Sequence, residues 1–408
     1  MSLFEAYRRV RAATERLAAG LSAEDQQVQS MPATSPTKWH RAHTTWFFET
    51  FILRRTGAAA FNDQFGFLYN SYYDGIGPQP VRSERGLVTR PSEAEVTRYR
   101  IAVDDAMETL LRTVSPSTLE SLAPLVLLGL AHEEQHQELI LTDILHAFGQ
   151  NPMKPIYRAR SARTTPGPRP RTFHAFDGGL VEIGAEDGFA FDNERPRHRV
   201  FLVPFELAST PVSVGELKAF IEGGGYSTPS LWLSEGWAHV RANSLIAPAY
   251  TELDGGRLRV FGLGGWEEPL DHEPARFLDF WEAEALARFL GGRLPTEMEW
   301  EHAASALPAD VGNFADGPLT PTACDEPGLV QLFGDVWEWT RSDYAPYPGF
   351  ETPEGAIGEY NGKFMAQQFV LRGGSCLTPR GHVRASYRNF WPPATRFQMS
   401  GLRLARTP

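Results

Sequence analysis

The sequence predicts an α + (α+β) chain, in which a helical bundle precedes an irregular domain of short strands and helices. Over residues 1–150, apolar residues such as Leu3 and Tyr7 recur with a period close to that of an α-helix. Residues 151–172 are rich in proline and arginine and lack an apolar period, which is typical of a linker. From residue 173, short apolar runs alternate with Gly/Pro turns, which predicts an α+β domain over 173–408.

Four long helices are expected in the first 150 residues, and together they predict a four-helix bundle. Ser92 and Glu95 have the spacing of a capping box, which marks a helix start. Gly149 suits a helix C-terminus. The expected helices are an amphipathic N-terminal segment, about 39–55, 91–114 and 116–149, with a loop over 56–90. In the C-terminal part, helices are expected at 213–224 and 276–292.

Composition restricts the class of protein. The chain of 408 residues has a formal net charge of −11, which argues against binding along nucleic-acid phosphates. No apolar run is long enough to span a membrane, and the N-terminus lacks the apolar core of a secretory signal. The two cysteines, Cys324 and Cys376, are expected to be structural and exclude a Cys-rich zinc site. We therefore expect a cytoplasmic protein that acts on small molecules.

The segment 128-LGLAHEEQHQEL-139 places His132 and His136 four residues apart. On a helix these positions lie about 40° apart on one face. Apolar residues share that face, so both imidazoles are expected to point into the bundle core, where unpartnered they would be costly. The pair therefore predicts a metal site inside the bundle. The polar residues expected mostly on other faces are Glu133, Glu134, Gln137 and Glu138.

A third ligand is expected from the segment 35-SPTKWHRAHTTWFFETFIL-53, which offers His40 and His43. Three neutral imidazoles would leave up to three positions open on an octahedral metal. Such a site suits iron and O2 chemistry as well as zinc-dependent hydrolysis. The spacing alone leaves both histidines as candidates.

These segments resemble a known enzyme family. The blocks SPTKWHRAHTTWFFE and AHEEQHQEL, with 177-DGGLVEIGAE-186, 334-GDVWEWT-340 and 372-RGGSC-376, look like the sulfoxide synthases of ergothioneine biosynthesis. Members of this family join a DinB-like four-helix bundle to a domain that is similar to formylglycine-generating enzymes and has a C-type-lectin-like fold. The resemblance covers nearly the whole chain, so it implies both domains here.

The resemblance implies a mononuclear non-haem Fe(II) held by His43, His132 and His136, which selects His43 over His40. It also implies that Gln135 contacts the imidazole substrate. In the family reaction, O2 is used to join a thiol sulfur to the imidazole C2 of hercynine, and the product is a sulfoxide.

The family resemblance also implies a catalytic tyrosine. The segment 70-NSYYDGIG-77 is similar to the cysteine-using branch, which implies a catalytic role for Tyr72 and Tyr73. Tyr344 and Tyr347 are the alternative candidates.

The carboxylate of the thiol substrate requires a cation, for which arginine is well suited. Arg82 is the favoured residue because of its spacing from Tyr73 in the cysteine-using branch, and Arg85 and Arg90 are the alternatives.

The segment 388-RNFWPPATRFQMSG-401 resembles a stretch that lines the family's pocket. Asn389 is similar to an asparagine that contacts hercynine, and Phe390 and Trp391 offer aromatic faces to its quaternary ammonium. The γ-glutamylcysteine-using branch has an acidic residue where this chain has Trp391. This difference favours free cysteine as the thiol.

Other functions are compatible with the same segments. The scaffold motifs also fit histidine in place of hercynine, γ-glutamylcysteine in place of cysteine, or a selenium donor. A DinB-type metal-dependent thiol transferase or a binding module would explain the bundle, but not the aromatic segment near the C-terminus.

Overall fold

The structure is a computed structural model that describes residues 2–160, 166–168 and 170–408, so 161–165 and 169 of the predicted linker lie outside the described residues. The chain divides into two compact units. The first contains Met1–Tyr157 and Thr352–Tyr360, and the second contains Arg158–Glu351 and Asn361–Pro408. The grouping of Thr352–Tyr360 with the N-terminal helices was not anticipated from the sequence.

Within the described residues, the first unit is built from four long helices and one short helix. Helix α5 packs against α1 and α2, and α2 also packs against α4. The side chain of Ser92 accepts a hydrogen bond from the backbone N–H of Glu95, so the predicted capping box is confirmed. The helices are α1 Leu3–Ala18, α2 Thr37–Phe51, α3 Phe65–Leu68, α4 Glu93–Thr113 and α5 Pro116–Gln150.

The connections differ from the prediction in two places. Helix α2 ends at Phe51, and a 3-10 turn, Leu53–Thr56, follows it. The predicted loop over 56–90 contains α3 and a second 3-10 turn, Arg82–Leu87. Apolar periodicity does not reveal these short elements, because each contains at most two turns of helix.

A buried carboxylate joins three helices of the first unit. Glu133 on α5 accepts hydrogen bonds from Arg11 Nη1 at 2.8 Å and from Thr14 Oγ1 at 2.6 Å, both on α1. It also accepts one from Arg100 Nη2 on α4, at 2.6 Å. The sequence predicts Glu133 on a different helix face from the histidines. In the structure Glu133 is buried as well, because α1 packs against α5.

The second unit contains the expected mixture of short strands and helices. Its strands are β1 Phe173–Phe176, β2 Gly179–Ile183, β3 His198–Leu202, β4 Phe205–Pro211, β5 Thr251–Asp254, β6 Arg257–Gly262, β7 Gly265–Glu267, β8 Trp337–Asp343, β9 Phe369–Arg372, β10 Asn389–Trp391, β11 Ser400–Gly401 and β12 Arg403–Arg406. Its helices are α6 Val214–Glu222, α7 Ser234–Asn243, α8 Phe280–Phe289 and α9 Glu297–Ala304.

The strands of the second unit form small sheets, which have the orders β1-β4-β12, β10-β9-β8-β11, β2-β3 and β5-β6-β7 within the described residues. Buried tryptophans, including Trp300, Trp337 and Trp339, fill the interior. Glu338 pairs there with Arg403 at 2.8 Å. Short apolar runs separated by frequent Gly/Pro turns predict such an arrangement of small sheets with a few helices.

Helix α8 is shorter than the predicted segment 276–292. The side chain of Asp279 accepts from the backbone N–H of Glu282, so this capping box starts the helix at Phe280. Helix α6 agrees with the prediction over 213–224, whereas α7 and α9 were not predicted. Neither cysteine is in a disulfide.

The predicted fold class, a helical bundle followed by an α+β domain, is confirmed. Across the described residues, no helix combines the length and the apolar character required to cross a bilayer.

Candidate metal centre

Three buried histidines meet inside the first unit. His43 is on α2, and His132 and His136 are on α5. Their candidate ligand atoms all lie within 4.8 Å of one another. His43 Nε2 is 3.1 Å from His132 Nε2. The structure therefore brings together the three residues that were predicted to bind a metal.

The ring of His43 is held by two stacked tryptophans and by a hydrogen bond at one nitrogen. Its Nδ1 atom is 2.6 Å from the carbonyl oxygen of Tyr69. A carbonyl oxygen only accepts, so Nδ1 carries the proton and Nε2 keeps its lone pair. Trp39 stacks on one face at a centroid distance of 4.5 Å, and Trp46 stacks at 5.6 Å. This packing determines the direction of the Nε2 lone pair.

His40 lies outside the cluster and contacts it through one ligand. Its Nδ1 atom is 2.7 Å from Nδ1 of His136, and its Nε2 atom is 3.0 Å from Oδ2 of Asp143. Of the two histidines that the spacing left open, His43 and not His40 joins the group that could hold an ion among the described residues.

Burial keeps the three imidazoles neutral. It lowers the pKa of His132 from 6.5 to about 3, and it lowers the pKa values of His43 and His136 well below the usual range. The neighbouring imidazoles add to the effect at His43 and His136. Metal binding requires the neutral form. Three converging neutral imidazoles in an enclosed site fit a divalent first-row transition metal, iron included.

A tyrosine cluster adjoins the histidines within the first unit. Tyr73 is buried, and its hydroxyl oxygen is 3.5 Å from that of Tyr72. The hydroxyl of Tyr360 donates to Oε1 of Gln135. The Tyr360 ring lies 5.7 Å from the His132 ring and 6.0 Å from the Tyr72 ring, measured between centroids. Tyr360 thus links the predicted residues Gln135 and Tyr72 to each other and to the candidate ligand His132, and Tyr72 contacts Tyr73.

Tyr360 was missed by the sequence analysis. It lies far along the chain in a polar, glycine-containing segment, IGEYNG, that has no helical or strand period. Its place in the first unit depends on the return of Thr352–Tyr360 to the bundle. Within the sequence alone, no local pattern indicates that return.

The loop that carries the tyrosine pair is held by backbone contacts. Asn70 donates to the carbonyl oxygens of Tyr73 and Gly77, both at 3.0 Å. The carboxylate of Glu359 accepts from the backbone N–H groups of Asp74 and Gly75, both at 2.8 Å. Glu359 therefore fixes the loop just after the tyrosine pair.

The candidate arginines differ in their environment. Arg82 is exposed and donates to the carbonyl oxygen of Ala33 at 2.6 Å, and Arg90 is also exposed. Arg85 is buried, with its guanidinium 3.6 Å from the centroid of the Trp39 ring. Because Trp39 stacks on His43, one aromatic ring separates Arg85 from a candidate metal ligand.

Arg85 has no carboxylate partner in the described part of the chain. It donates to the hydroxyls of Ser35 at 3.0 Å and Ser71 at 2.7 Å, and its buried Nε has no acceptor. Burial, followed by repulsion from Arg82, lowers the pKa of Arg85 to about 9. Asp143 partly offsets this lowering of the pKa but does not contact the guanidinium. A buried cation that no carboxylate contacts among the described residues suits the binding of a substrate carboxylate.

The remaining predicted residues are in the second unit. Asn389, Phe390 and Trp391 form β10, and Phe390 stacks on Tyr344 at 4.0 Å. Their substrate contacts stay predictions. The alternative tyrosines are both buried within this unit. Tyr344 accepts from Asn193 Nδ2 at 2.9 Å, and Tyr347 accepts from Arg372 Nη2 at 3.0 Å. Each hydroxyl therefore accepts a hydrogen bond from a side chain of its own unit.

Comparisons with known proteins agree with this architecture. Residues 6–140 match the DinB superfamily. Residues 161–317 and 307–408 match the sulfatase-modifying factor enzyme 1-like domain. A formylglycine-generating enzyme of Streptomyces coelicolor is 26% identical, and the alignment covers 54% of this chain and 84% of that enzyme.

Longer matches cover both halves together. The hercynine oxygenase of Mycolicibacterium smegmatis is 32% identical over 92% of this chain and 92% of its own length. The hercynine oxygenase of Mycobacterium tuberculosis is also 32% identical, over 97% of this chain and 96% of its own length. Because these relatives are more than 30% identical over nearly the full length of both chains, the chain belongs to the hercynine oxygenase family.

Proposed function

We propose that the chain is an iron-dependent sulfoxide synthase of ergothioneine biosynthesis, which joins the sulfur of L-cysteine to the imidazole C2 atom of hercynine. The buried cluster of His43, His132 and His136, placed beside Gln135 and the tyrosines, is the observation that carries this proposal. The family to which the chain belongs supplies hercynine as the substrate.

The overall reaction balances with O2 as the only oxidant. The C2–H bond of hercynine and the S–H bond of cysteine are lost, and a C–S bond forms. One oxygen atom of O2 becomes the sulfoxide oxygen, and the other leaves as water with the two hydrogens. O2 thereby accepts four electrons, two for the C–S bond and two for the sulfoxide.

The three histidines would hold the iron through their Nε2 atoms. Such an iron supplies one-electron redox chemistry and coordination positions for the substrates. The protein keeps these imidazoles neutral by burial, as the lowered pKa of His132 indicates. Buried aromatic side chains pack against these histidines and give the site apolar walls, namely Trp39, Trp46 and Phe47.

The polar neighbours would bind and orient the substrates. Gln135, whose amide is oriented by Tyr360, would contact the hercynine imidazole. Burial raises the pKa of Tyr73 well above its usual range, so its hydroxyl stays protonated at neutral pH. The protonated hydroxyl would be the hydrogen donor beside the site. We now favour Arg85 over Arg82 for the cysteine carboxylate, because Arg85 is buried without a carboxylate partner among the described residues.

A single reconstitution tests the function. The protein is loaded anaerobically with Fe(II), mixed with hercynine and cysteine, and exposed to O2, and the products are identified by mass. We expect an adduct with the mass of both substrates plus one oxygen atom and minus two hydrogens. A reaction without O2 and a reaction with the His43→Ala variant are the controls, and neither should give the adduct.

Competing substrates are tested in parallel reactions. Histidine replaces hercynine in one arm, and γ-glutamylcysteine or selenocysteine replaces cysteine in the others. Absence of the adduct from iron-loaded protein would overturn the proposed reaction. An adduct with histidine but not with hercynine would instead assign the reaction to an ovothiol-type synthase.

A further inference from the structure

A chain of buried polar groups leads away from one of the metal ligands. Nδ1 of His136 is 2.7 Å from Nδ1 of His40, and Nε2 of His40 is 3.0 Å from Oδ2 of Asp143. The same carboxylate oxygen accepts a hydrogen bond from the backbone N–H of Ser35, at 2.7 Å. His40, Asp143 and His136 are all buried.

Asp143 and the metal together determine which nitrogen of each ring carries a proton. Oδ2 of Asp143 accepts from Ser35 and from His40, so Nε2 of His40 bears a proton. A His136 that binds the metal through Nε2 carries its own proton on Nδ1 and donates it to Nδ1 of His40. A neutral His136 with a proton on Nδ1 keeps its lone pair on Nε2.

The other two ligands are held differently. Nδ1 of His43 is bound by the backbone carbonyl of Tyr69, which a side-chain substitution does not remove. Nδ1 of His132 is buried without a hydrogen-bond partner among the described residues. His136 is therefore the ligand, in the described part of the chain, whose tautomer depends on another side chain.

We propose that His40 is a positioning residue which, oriented by Asp143, holds His136 in the Nδ1–H tautomer with its Nε2 atom directed at the metal. The role rests on the metal site of the proposed function and deepens it. Partners of this kind fix ring orientation and increase ligand basicity, and their loss weakens metal binding roughly 10–100-fold in other proteins.

Two similar substitutions of His40 separate this role from simple packing. In His40→Asn, the amide oxygen takes about the place of Nδ1 and can still accept from His136. In His40→Gln, the longer amide takes about the place of Nε2, so the contact with Asp143 is kept and the acceptor beside His136 is lost. Both substituted side chains are polar, and neither is larger than that of histidine.

The readout is the binding of Co(II) alone to the full chain. The dissociation constant is measured by competition with a chelator, and the visible absorption spectrum of bound Co(II) reports the ligand geometry. We expect His40→Gln to weaken binding by roughly 10-fold or more and to change the spectrum. His40→Asn should stay within about threefold of the unsubstituted protein, since it keeps the acceptor.

A control comes from the second unit. Nε2 of His272 is 2.7 Å from the carbonyl oxygen of Pro166, and His272 is not part of the histidine cluster. His272→Gln therefore changes a histidine hydrogen bond without changing the proposed relay. We expect its Co(II) affinity and spectrum to match those of the unsubstituted protein.

The outcomes distinguish this role from the metal site itself. Unchanged affinity and spectrum in His40→Gln would overturn the role of His40 while leaving the metal site in place. Equal losses in both His40 variants, in parallel with lower melting temperatures of the metal-free proteins, would reduce His40 to a packing residue and also overturn it. Failure of the unsubstituted protein to bind Co(II) would overturn the metal site and this inference together.

Discussion

The hydroxyl of Tyr360 donates a hydrogen bond to Oε1 of Gln135. The same tyrosine packs edge-on against His132 and Tyr72, with centroid distances of 5.7 Å and 6.0 Å. One residue therefore contacts the proposed substrate-binding amide, a candidate metal ligand and one of the proposed catalytic tyrosines. Because the bond engages the amide oxygen, it determines which way the Gln135 amide faces.

The Tyr360→Phe variant should weaken hercynine binding. The substitution keeps the ring and removes the bond to Gln135, which is worth about 1 kcal/mol, so we expect KM for hercynine to rise about 2- to 10-fold. Steady-state kinetics with hercynine as the varied substrate measure the change. Tyr157→Phe, which removes a bond to the carbonyl oxygen of Leu17, is the control and should leave KM unchanged. An unchanged KM in Tyr360→Phe would remove its role in orienting Gln135.

The tyrosine pair should control which product forms. We expect Tyr72→Phe or Tyr73→Phe to divert the reaction from C–S coupling to plain oxidation of the thiol, because a positioned proton donor is lost. The ratio of sulfoxide adduct to oxidised cysteine, determined by mass, is the measurement. Tyr344→Phe, in the second unit, is a matched control. Full coupling in both single variants and in the double variant would rule out a catalytic role for the pair.

Arg85 should contribute to the binding of cysteine through its carboxylate. A charged hydrogen bond contributes about 1.5–3 kcal/mol, so we expect Arg85→Gln to raise KM for cysteine by roughly 10-fold or more. Arg82→Gln should have little effect, since that side chain is exposed. Cysteamine lacks the carboxylate, and its KM should respond weakly to Arg85→Gln. If Arg82→Gln raised KM for cysteine more than Arg85→Gln did, the carboxylate would be assigned to Arg82, the residue that the sequence favoured.

Glu133 should be important for stability. Glu133→Gln removes the charge that pairs with Arg11 and Arg100, and breaking a buried ion pair from one side typically costs about 3–5 kcal/mol. We expect a value near the lower end, about 3 kcal/mol, because both arginines keep a second carboxylate partner. Urea unfolding of the metal-free protein measures this change in the free energy of unfolding.

The control for Glu133 is a partly exposed pair. Glu108 on α4 contacts Arg112 at 3.3 Å, in an i,i+4 pair near the surface. Glu108→Gln should change the free energy of unfolding by less than about 1 kcal/mol. If Glu133→Gln cost no more than this control, the buried network would not be what holds α1, α4 and α5 together.

The elements that the sequence predicted are those with local signals. The capping box at Ser92 and the spacing of His132 and His136 depend only on helical geometry, so they could be read from neighbouring positions. The selection of His43 over His40 came from a family resemblance, because two histidines three positions apart on one helix are both plausible from spacing. In the structure the ring of His43 contacts both His132 and His136, whereas the ring of His40 contacts His136.

The features that were missed depend on contacts between distant segments. Tyr360 reaches Gln135 across more than half of the chain, and the partners of Glu133 come from α1 and α4. Arg82 and Arg85 lie in one short segment, and only the folded 3-10 turn exposes the first and buries the second. Which arginine is buried depends on tertiary packing, and a six-residue turn is too short for a hydrophobic period to predict it.

The buried histidines should make the metal-free protein sensitive to acid. Burial lowers the pKa of His132 from 6.5 to about 3, so the unfolded chain binds a proton in this range and the folded chain does not. Stability is therefore fully present above the unfolded pKa and decreases as the pH falls below it, by up to about 1.4 kcal/mol per pH unit for each such histidine. Urea unfolding of the metal-free protein at several pH values between about 7 and 5 measures the slope. The slope of the unfolding free energy against pH is proportional to the number of protons taken up on unfolding. We expect His132→Gln to reduce this slope by the contribution of about one proton, whatever the variant does to the free energy of unfolding near pH 7. An identical slope in the variant would mean that His132 takes up its proton in the folded state, and the neutral metal-binding form would then not be imposed by burial.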